Sequence, residues 1–139
     1  MDDPYDLSRF LSAQSPVIER VREELRAGRK RSHWMWFVFP QIAGLGHSAT
    51  AQRYAIASLD EARAYFAHDI LGPRLKECAA LVVAVEGHNI EEIFAAPDDL
   101  KFHSSMTLFA RAAPNEPAFR EALKKYFGGE EDRATVERI

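Results

Sequence analysis

An all-α domain of six to eight short helices is what the apolar pattern of this chain dictates. Apolar residues recur at helical spacing in most segments. Ser, Asn, Asp, Gly and Pro stand where helices start and stop. The one run that is apolar throughout, residues 34–39, has no strand-like partner nearby. The 139 residues make one domain, 1–139, and a chain of this size buries roughly two-thirds of its unfolded surface.

Residues 7–14 form a short helix with Leu7, Phe10 and Leu11 on one side. Ser15 and Pro16 start the next: serine caps free N–H groups, and proline has no N–H to leave unpaired. Val17, Ile18, Val21 and Leu25 give that helix one buried stripe, Arg26 suits its dipole and Gly28 ends it. Residues 34–39 form a short buried helix or an extended segment, ended by Pro40. Gln41 to Ser48 is loop, and residues 49–57 are helical. Ser58 to Glu61 is a capping signature for a helix that turns Leu59, Ala62 and Phe66 inward. Gly72 and Pro73 begin a helix with a long stripe, Leu71, Leu75, Cys78, Val82 and Val85, stopped by Gly87. Asn89 caps a short helix through Ile93 and Phe94, and Pro97 to Asp99 opens another running to about Ala112. A helix over 117–127 buries Phe119, Leu123 and Phe127 before Gly128 and Gly129. Asp132 caps a final turn with Val136 inward.

Composition narrows the function classes. A hydrophobic fraction of 47% and a charged fraction of 28% exclude a disordered chain. The one cysteine, Cys78, forms no internal disulfide, suits a reducing compartment and lies in an apolar stripe as a small core residue. The N-terminus is acidic and unlike a signal peptide, and no window reaches the roughly 18 apolar residues of a membrane span, so a soluble cytoplasmic protein is expected. Charge is uneven. Residues 25–59 hold five basic residues and no acidic one, on a chain whose net charge is −3. That field favours an anionic ligand or partner surface over general nucleic-acid binding, or else marks a solvated helix end and loop.

Two segments carry the candidate chemistry. The first, residues 29–48, holds a basic cluster, both tryptophans and Gly44-Leu45-Gly46. His33 is the candidate acid–base, because it titrates near neutrality and follows three basic residues; the alternative is a histidine bonded to backbone. The glycine pair lacks the third glycine of a dinucleotide fingerprint and is a turn or a backbone anion holder. An aromatic run without interspersed polar residues argues against a nucleic-acid platform. The second segment is the helix around residues 98–112. Phe102, Met106 and Phe109 share its core face, Lys101 and Ser104 the adjacent strip, and Ser105 lies one turn after Lys101. A lysine and two hydroxyls beside an apolar wall suit a phosphate or carboxylate, unless Lys101 is a surface charge and Ser105 bonds a helix carbonyl. Five histidines without cysteine or paired carboxylates at ligand spacing imply no metal, and no cofactor motif appears.

The chain resembles the DUF1810 family of uncharacterised bacterial proteins over nearly its whole length. The resemblance rests on Lys30-Arg31-Ser32-His33-Trp34-Met35-Trp36-Phe37-Val38-Phe39-Pro40-Gln41 and Gly44-Leu45-Gly46-His47-Ser48, on Tyr54-Ala55-Ile56 and Leu71-Gly72-Pro73-Arg74-Leu75, and on Asp98-Asp99-Leu100-Lys101 with Ser104-Ser105-Met106-Thr107-Leu108-Phe109. It implies a mainly helical fold and no established activity. The chain departs from the family pattern at Ala95, where glycine follows the Ile-Phe pair, and at His103. Some members carry a calpastatin label, which implies a disordered protease inhibitor and does not suit a compact domain.

The leading expectation is a polar pocket for an anionic, nucleotide-like small molecule, with residues 31–41 facing residues 101–107. Arg31, Trp34, Trp36, Gln41, Lys101, Ser104, Ser105 and Thr107 would bind it, and any hydrolytic or glycosidic-bond chemistry would fall to His33. The rival expectation is a non-enzymatic interaction module or homodimer that exposes the Trp34–Phe39 stretch.

Overall fold

Ten helices form among the described residues of the computed structural model, which are residues 3–139; Met1 and Asp2, the start of the acidic N-terminus, lie outside them. Six helices are seven residues or longer, and four are single turns of four or five residues. In order they are α1 (Ser8–Gln14), α2 (Ile18–Arg26), α3 (Met35–Val38), α4 (Ala49–Arg53), α5 (Leu59–Ala67), α6 (Leu71–Ala84), α7 (Ile90–Phe94), α8 (Asp98–Ala112), α9 (Pro117–Phe127) and α10 (Arg133–Val136).

Helix α8 is the centre. It packs against α5, α7, α9 and α10, and every residue from Ser104 to Ala110 is buried. The strip beside its core face is therefore covered too, because neighbours approach α8 from several sides. Helix α6 packs against α2, α5 and α9. Its approach to α5 is set by Gly72: a Cβ there would lie 2.9 Å from the carbonyl carbon of Phe66 and closer still to the oxygen. Glycine is required at that place by space.

Several local expectations are corrected. Ser15 does not cap α2. Its hydroxyl bonds back to the Leu11 carbonyl at 2.9 Å, closing α1, and α2 starts at Ile18 without a side-chain cap. The helix expected over 49–57 ends at Arg53, because Ile56 pairs with Ile42 in an isolated parallel bridge. In α5 it is Tyr65 that is fully buried, while Phe66 is half-buried against Phe119. Phe127 is half-buried and stacks on the His103 ring at 3.9 Å. In α10 Thr135 turns inward and Val136 does not, because the Thr135 hydroxyl bonds Asp132 at 2.6 Å. The capping sites at Ser58, Asn89 and Asp132 hold as expected, each side chain accepting a backbone N–H of the first turn.

Arg9 clips the N-terminal end to the rest. Its guanidinium donates to the Arg53 and Ala55 carbonyls at 2.8 and 2.9 Å and to Glu61 Oε2 at 2.9 Å. Among the described residues no helix is long and apolar enough to cross a membrane.

Candidate functional site

The run from Trp34 to Phe39 divides by helical geometry. Trp34, Met35, Val38 and Phe39 lie on one side of the α3 turn and are buried, while Trp36 and Phe37 lie on the other and are half-buried. That spacing is the helical repeat, which six apolar residues in a row conceal. Inside, Trp34 and Phe39 join Phe94 and Phe102 in a cluster with ring separations of 5.0–6.3 Å. The dimer surface expected of this stretch is thus largely core.

A single buried carboxylate sets the path of the preceding loop. Glu24 Oε1 accepts from the Arg31 and Ser32 backbone N–H groups at 2.7 and 3.1 Å and from the Trp34 indole at 2.9 Å, and Oε2 accepts from the Ser32 hydroxyl at 2.6 Å. Burial alone would raise this carboxyl. The Ser32 hydroxyl, the backbone N–H groups and the indole together outweigh burial and hold it below the ordinary value. Arg31 and His33 are left exposed.

On the outer side of α3 lies a narrow cleft. Trp36 and Phe39, and Gln41 and Ile42 of the following segment, line it. Gly46 comes from the loop, Ala51 from α4, Tyr54 and Ala55 from the residues just after it, and Lys101 from the first turns of α8. Its free volume is about 10 Å³, which is room for about one water molecule. The Lys101 ammonium stands 5.0 Å above the Trp36 ring centre. It also lies 3.5 Å from Asp98 Oδ1, while Lys30 takes Asp98 Oδ2 at 2.8 Å. Lys30 in turn stands 5.3 Å over the Trp34 ring. Two lysines thus ride on two tryptophans and share one carboxylate, and of the two Lys101 lines the cleft.

Three of the residues marked in the sequence meet here: Trp36, Gln41 and Lys101. The others are placed elsewhere. Arg31 borders a separate surface groove with Arg20 and Glu23. His33 does not line the cleft. The Trp34 N–H is spent on Glu24. Ser104 donates to Asp132 Oδ2 and the Leu100 carbonyl, both at 3.1 Å, and Thr107 accepts from the Asp132 N–H at 2.8 Å. Those two hydroxyls anchor α10. Ser105 is fully buried, its hydroxyl has no hydrogen-bond partner among the described residues, and it does not line the cleft.

Lys30, Asp98 and Tyr54 belong to the site and were not marked as binding residues. Lys30 stood in the basic cluster of residues 29–48, Tyr54 in a motif of the family resemblance, and Asp98 in the first turn of a helix one turn before Lys101. Among the described residues no three His, Cys, Asp or Glu side chains converge as metal ligands. His68, His88 and His103 are engaged with backbone groups: His68 Nδ1 accepts from the Ile70 and Leu71 N–H groups, and His88 and His103 pair with the Gly28 and Glu130 carbonyls. Burial pushes the Cys78 thiol up to about 12, which makes it inert.

The model of a protein family of unknown function, DUF1810, matches residues 4–139. A crystal structure of the conserved hypothetical protein Rv1873 from Mycobacterium tuberculosis is similar over 97% of this chain and 96% of that one, with 64% identity and a TM-score of 0.96. No curated protein matches.

Proposed function

Because the chain belongs to the DUF1810 family, whose function is unknown, its role has to be read from its own cleft, and we propose that this cleft binds a small anionic molecule. The observation that carries this proposal is the Lys101 ammonium over the Trp36 ring beside Gln41, with Asp98 already claimed by Lys30. A cation at a partly shielded aromatic wall attracts a carboxylate or phosphate more strongly than one in open water. Gln41 adds a donor and an acceptor to orient it.

The cleft as it stands admits only a small group, such as one end of a carboxylate or phosphate. A nucleotide-like ligand would need the loop and α4 to move aside. His33 stands outside the lining, so the proposal is for binding and assigns no chemical step. The cytoplasmic setting proposed for the chain suits its one buried, inert thiol.

The test is a thermal-shift panel of small carboxylates, sugar phosphates, nucleotides and ADP-ribose on the wild type and Lys101→Met. A ligand present at a hundredfold over its Kd adds about 2.7 kcal/mol, a shift of several degrees. A stabilising anion whose effect disappears in Lys101→Met and which alters Trp36 fluorescence is the expected result. A panel that shifts neither protein, or both alike, overturns the proposal.

A further inference from the structure

The corner between α5 and α6 is capped by a residue that titrates. His68 ends α5, its N–H donating to the Tyr65 carbonyl at 3.2 Å, and its backbone is extended, with φ −66° and ψ 135°. Its own carbonyl accepts from the Gly72 N–H at 3.1 Å, which begins the next helical turn. The N–H groups of Ile70 and Leu71 fall in that first turn, where no helical carbonyl is available to them. Both donate to one side-chain atom, His68 Nδ1, at 3.1 and 3.2 Å. That is the place and pattern of an N-cap, where Ser, Thr, Asp or Asn is usual.

A histidine cap differs from those in one respect. Nδ1 accepts only while it carries no proton, so the two bonds require a neutral ring with its hydrogen on Nε2. His88 and His103 pair with carbonyls, which accept from a charged ring as readily as from a neutral one. Histidine is the side chain that changes charge between pH 5 and 8. A proton on Nδ1 of His68 turns an acceptor into a donor that faces two donors. It also sets a positive charge at the positive end of α6, a helix of 14 residues.

The ring has room and a second partner. It lines two surface hollows. The one toward the N-terminal segment, about 390 Å³, also holds Asp3 and Tyr5. The other, about 410 Å³, holds Asp69, Lys76 and Glu116. Lys76 and Glu116 pair at 3.1 Å and offset each other. The Asp3 carboxylate accepts from the Leu7 and Ser8 N–H groups at 2.7 and 3.0 Å, and it is near enough to His68 for the two charges to interact. Asp3 and Asp69 are therefore the charges that favour a protonated ring, and the first turn of α6 opposes it.

We infer that His68 is an acid-sensitive cap. Neutral, it holds the first turn of α6; protonated, it leaves the Ile70 and Leu71 N–H groups and turns to the Asp3 carboxylate. One set of partners replaces the other, so the change stays in this corner while the core keeps its stability. Both hollows change shape with it, because the ring is a wall of each. The surface between the N-terminal segment and α6 thus differs between pH 8 and pH 5.

The experiment is NMR on the full chain between pH 8 and pH 5, with wild type beside His68→Asn and His68→Ala. Asparagine keeps a capping oxygen that does not titrate, and alanine has none. At pH 8 the ring nitrogens of His68 should show the hydrogen on Nε2. Protection of the Ile70 and Leu71 amides from exchange, taken relative to the unstructured rate at each pH, should fall about tenfold in wild type by pH 5. It should hold in His68→Asn and be low throughout in His68→Ala, while the amides of α8 stay protected in all three. In Asp3→Asn the fall should move to more acid pH. A hydrogen on Nδ1 at pH 8 overturns the cap. Protection that follows pH alike in wild type and His68→Asn overturns the switch, as does a loss spread over the whole chain. An unmoved transition in Asp3→Asn overturns the exchange of partners.

Discussion

Glu24 is where chemistry read from neighbouring residues turns out to be architecture. Its four hydrogen bonds gather the Arg31 and Ser32 backbone, the Ser32 hydroxyl and the Trp34 indole, groups that are thereby spent within the fold. Nothing in the local pattern marks this glutamate, because its partners lie seven to ten residues ahead. Ala95 is the converse case, a residue whose cost is visible. It sits at φ 62° and ψ 161°, a region almost reserved for glycine, and its side chain is exposed. The glycine that the family resemblance leads one to expect at this position would avoid that strain. Ala95→Gly should relieve about 1–3 kcal/mol of strain and lose somewhat less than 1 kcal/mol to the freer unfolded chain. A net gain of about 1 kcal/mol, or roughly 3 °C in Tm, is expected. A lower Tm in the variant would show that Ala95 is unstrained.

At the scale of elements, the close pass of α5 and α6 depends on one absent side chain. Gly72→Ala drives a methyl into the Phe66 carbonyl, a backbone group with no freedom to swing away. The two helices must separate, and both belong to the core, so a loss of about 3 kcal/mol or more is expected. Urea denaturation measures it; a change under about 1 kcal/mol would mean the helices part at little cost. The sequence marks Gly72 only as a helix start beside Pro73. Its second role exists only because α5 ends against it. Helix α8 shows the same limit. Its apolar face is legible from Phe102, Met106 and Phe109, but the burial of Ser104, Ser105 and Thr107 follows from neighbours on other sides.

For the whole molecule, two carboxylates tie stability to pH. Arg111 bonds Glu131 through both oxygens, at 2.6 and 2.7 Å, and with the charge of Arg120 carries its carboxyl from 4.5 down to about 2 against the effect of burial. Glu24 is lowered as well. A carboxyl lowered by folding contributes stability that is complete above its unfolded value and is lost as pH falls through its folded value. Denaturant midpoints should therefore hold steady down to about pH 4.5 and decline toward pH 2. Glu24→Gln should be less stable at pH 7, by about 2–3 kcal/mol, yet lose less on acidification. Equal slopes in the two proteins would remove Glu24 from this account.

By itself the sequence determined the helical class, most helix ends and the core faces of the longer helices. Those depend on spacing and capping among residues within one or two turns of each other. It also drew attention to Trp36, Gln41 and Lys101. Only the tertiary structure decided that these three meet, that Trp34 is core while Trp36 lines a cleft, and that Ser104 and Thr107 hold α10 through Asp132. The reason is the range of the interactions. A helix is stabilised by bonds four residues apart, whereas Lys101 reaches Trp36 only after the chain has folded back across itself.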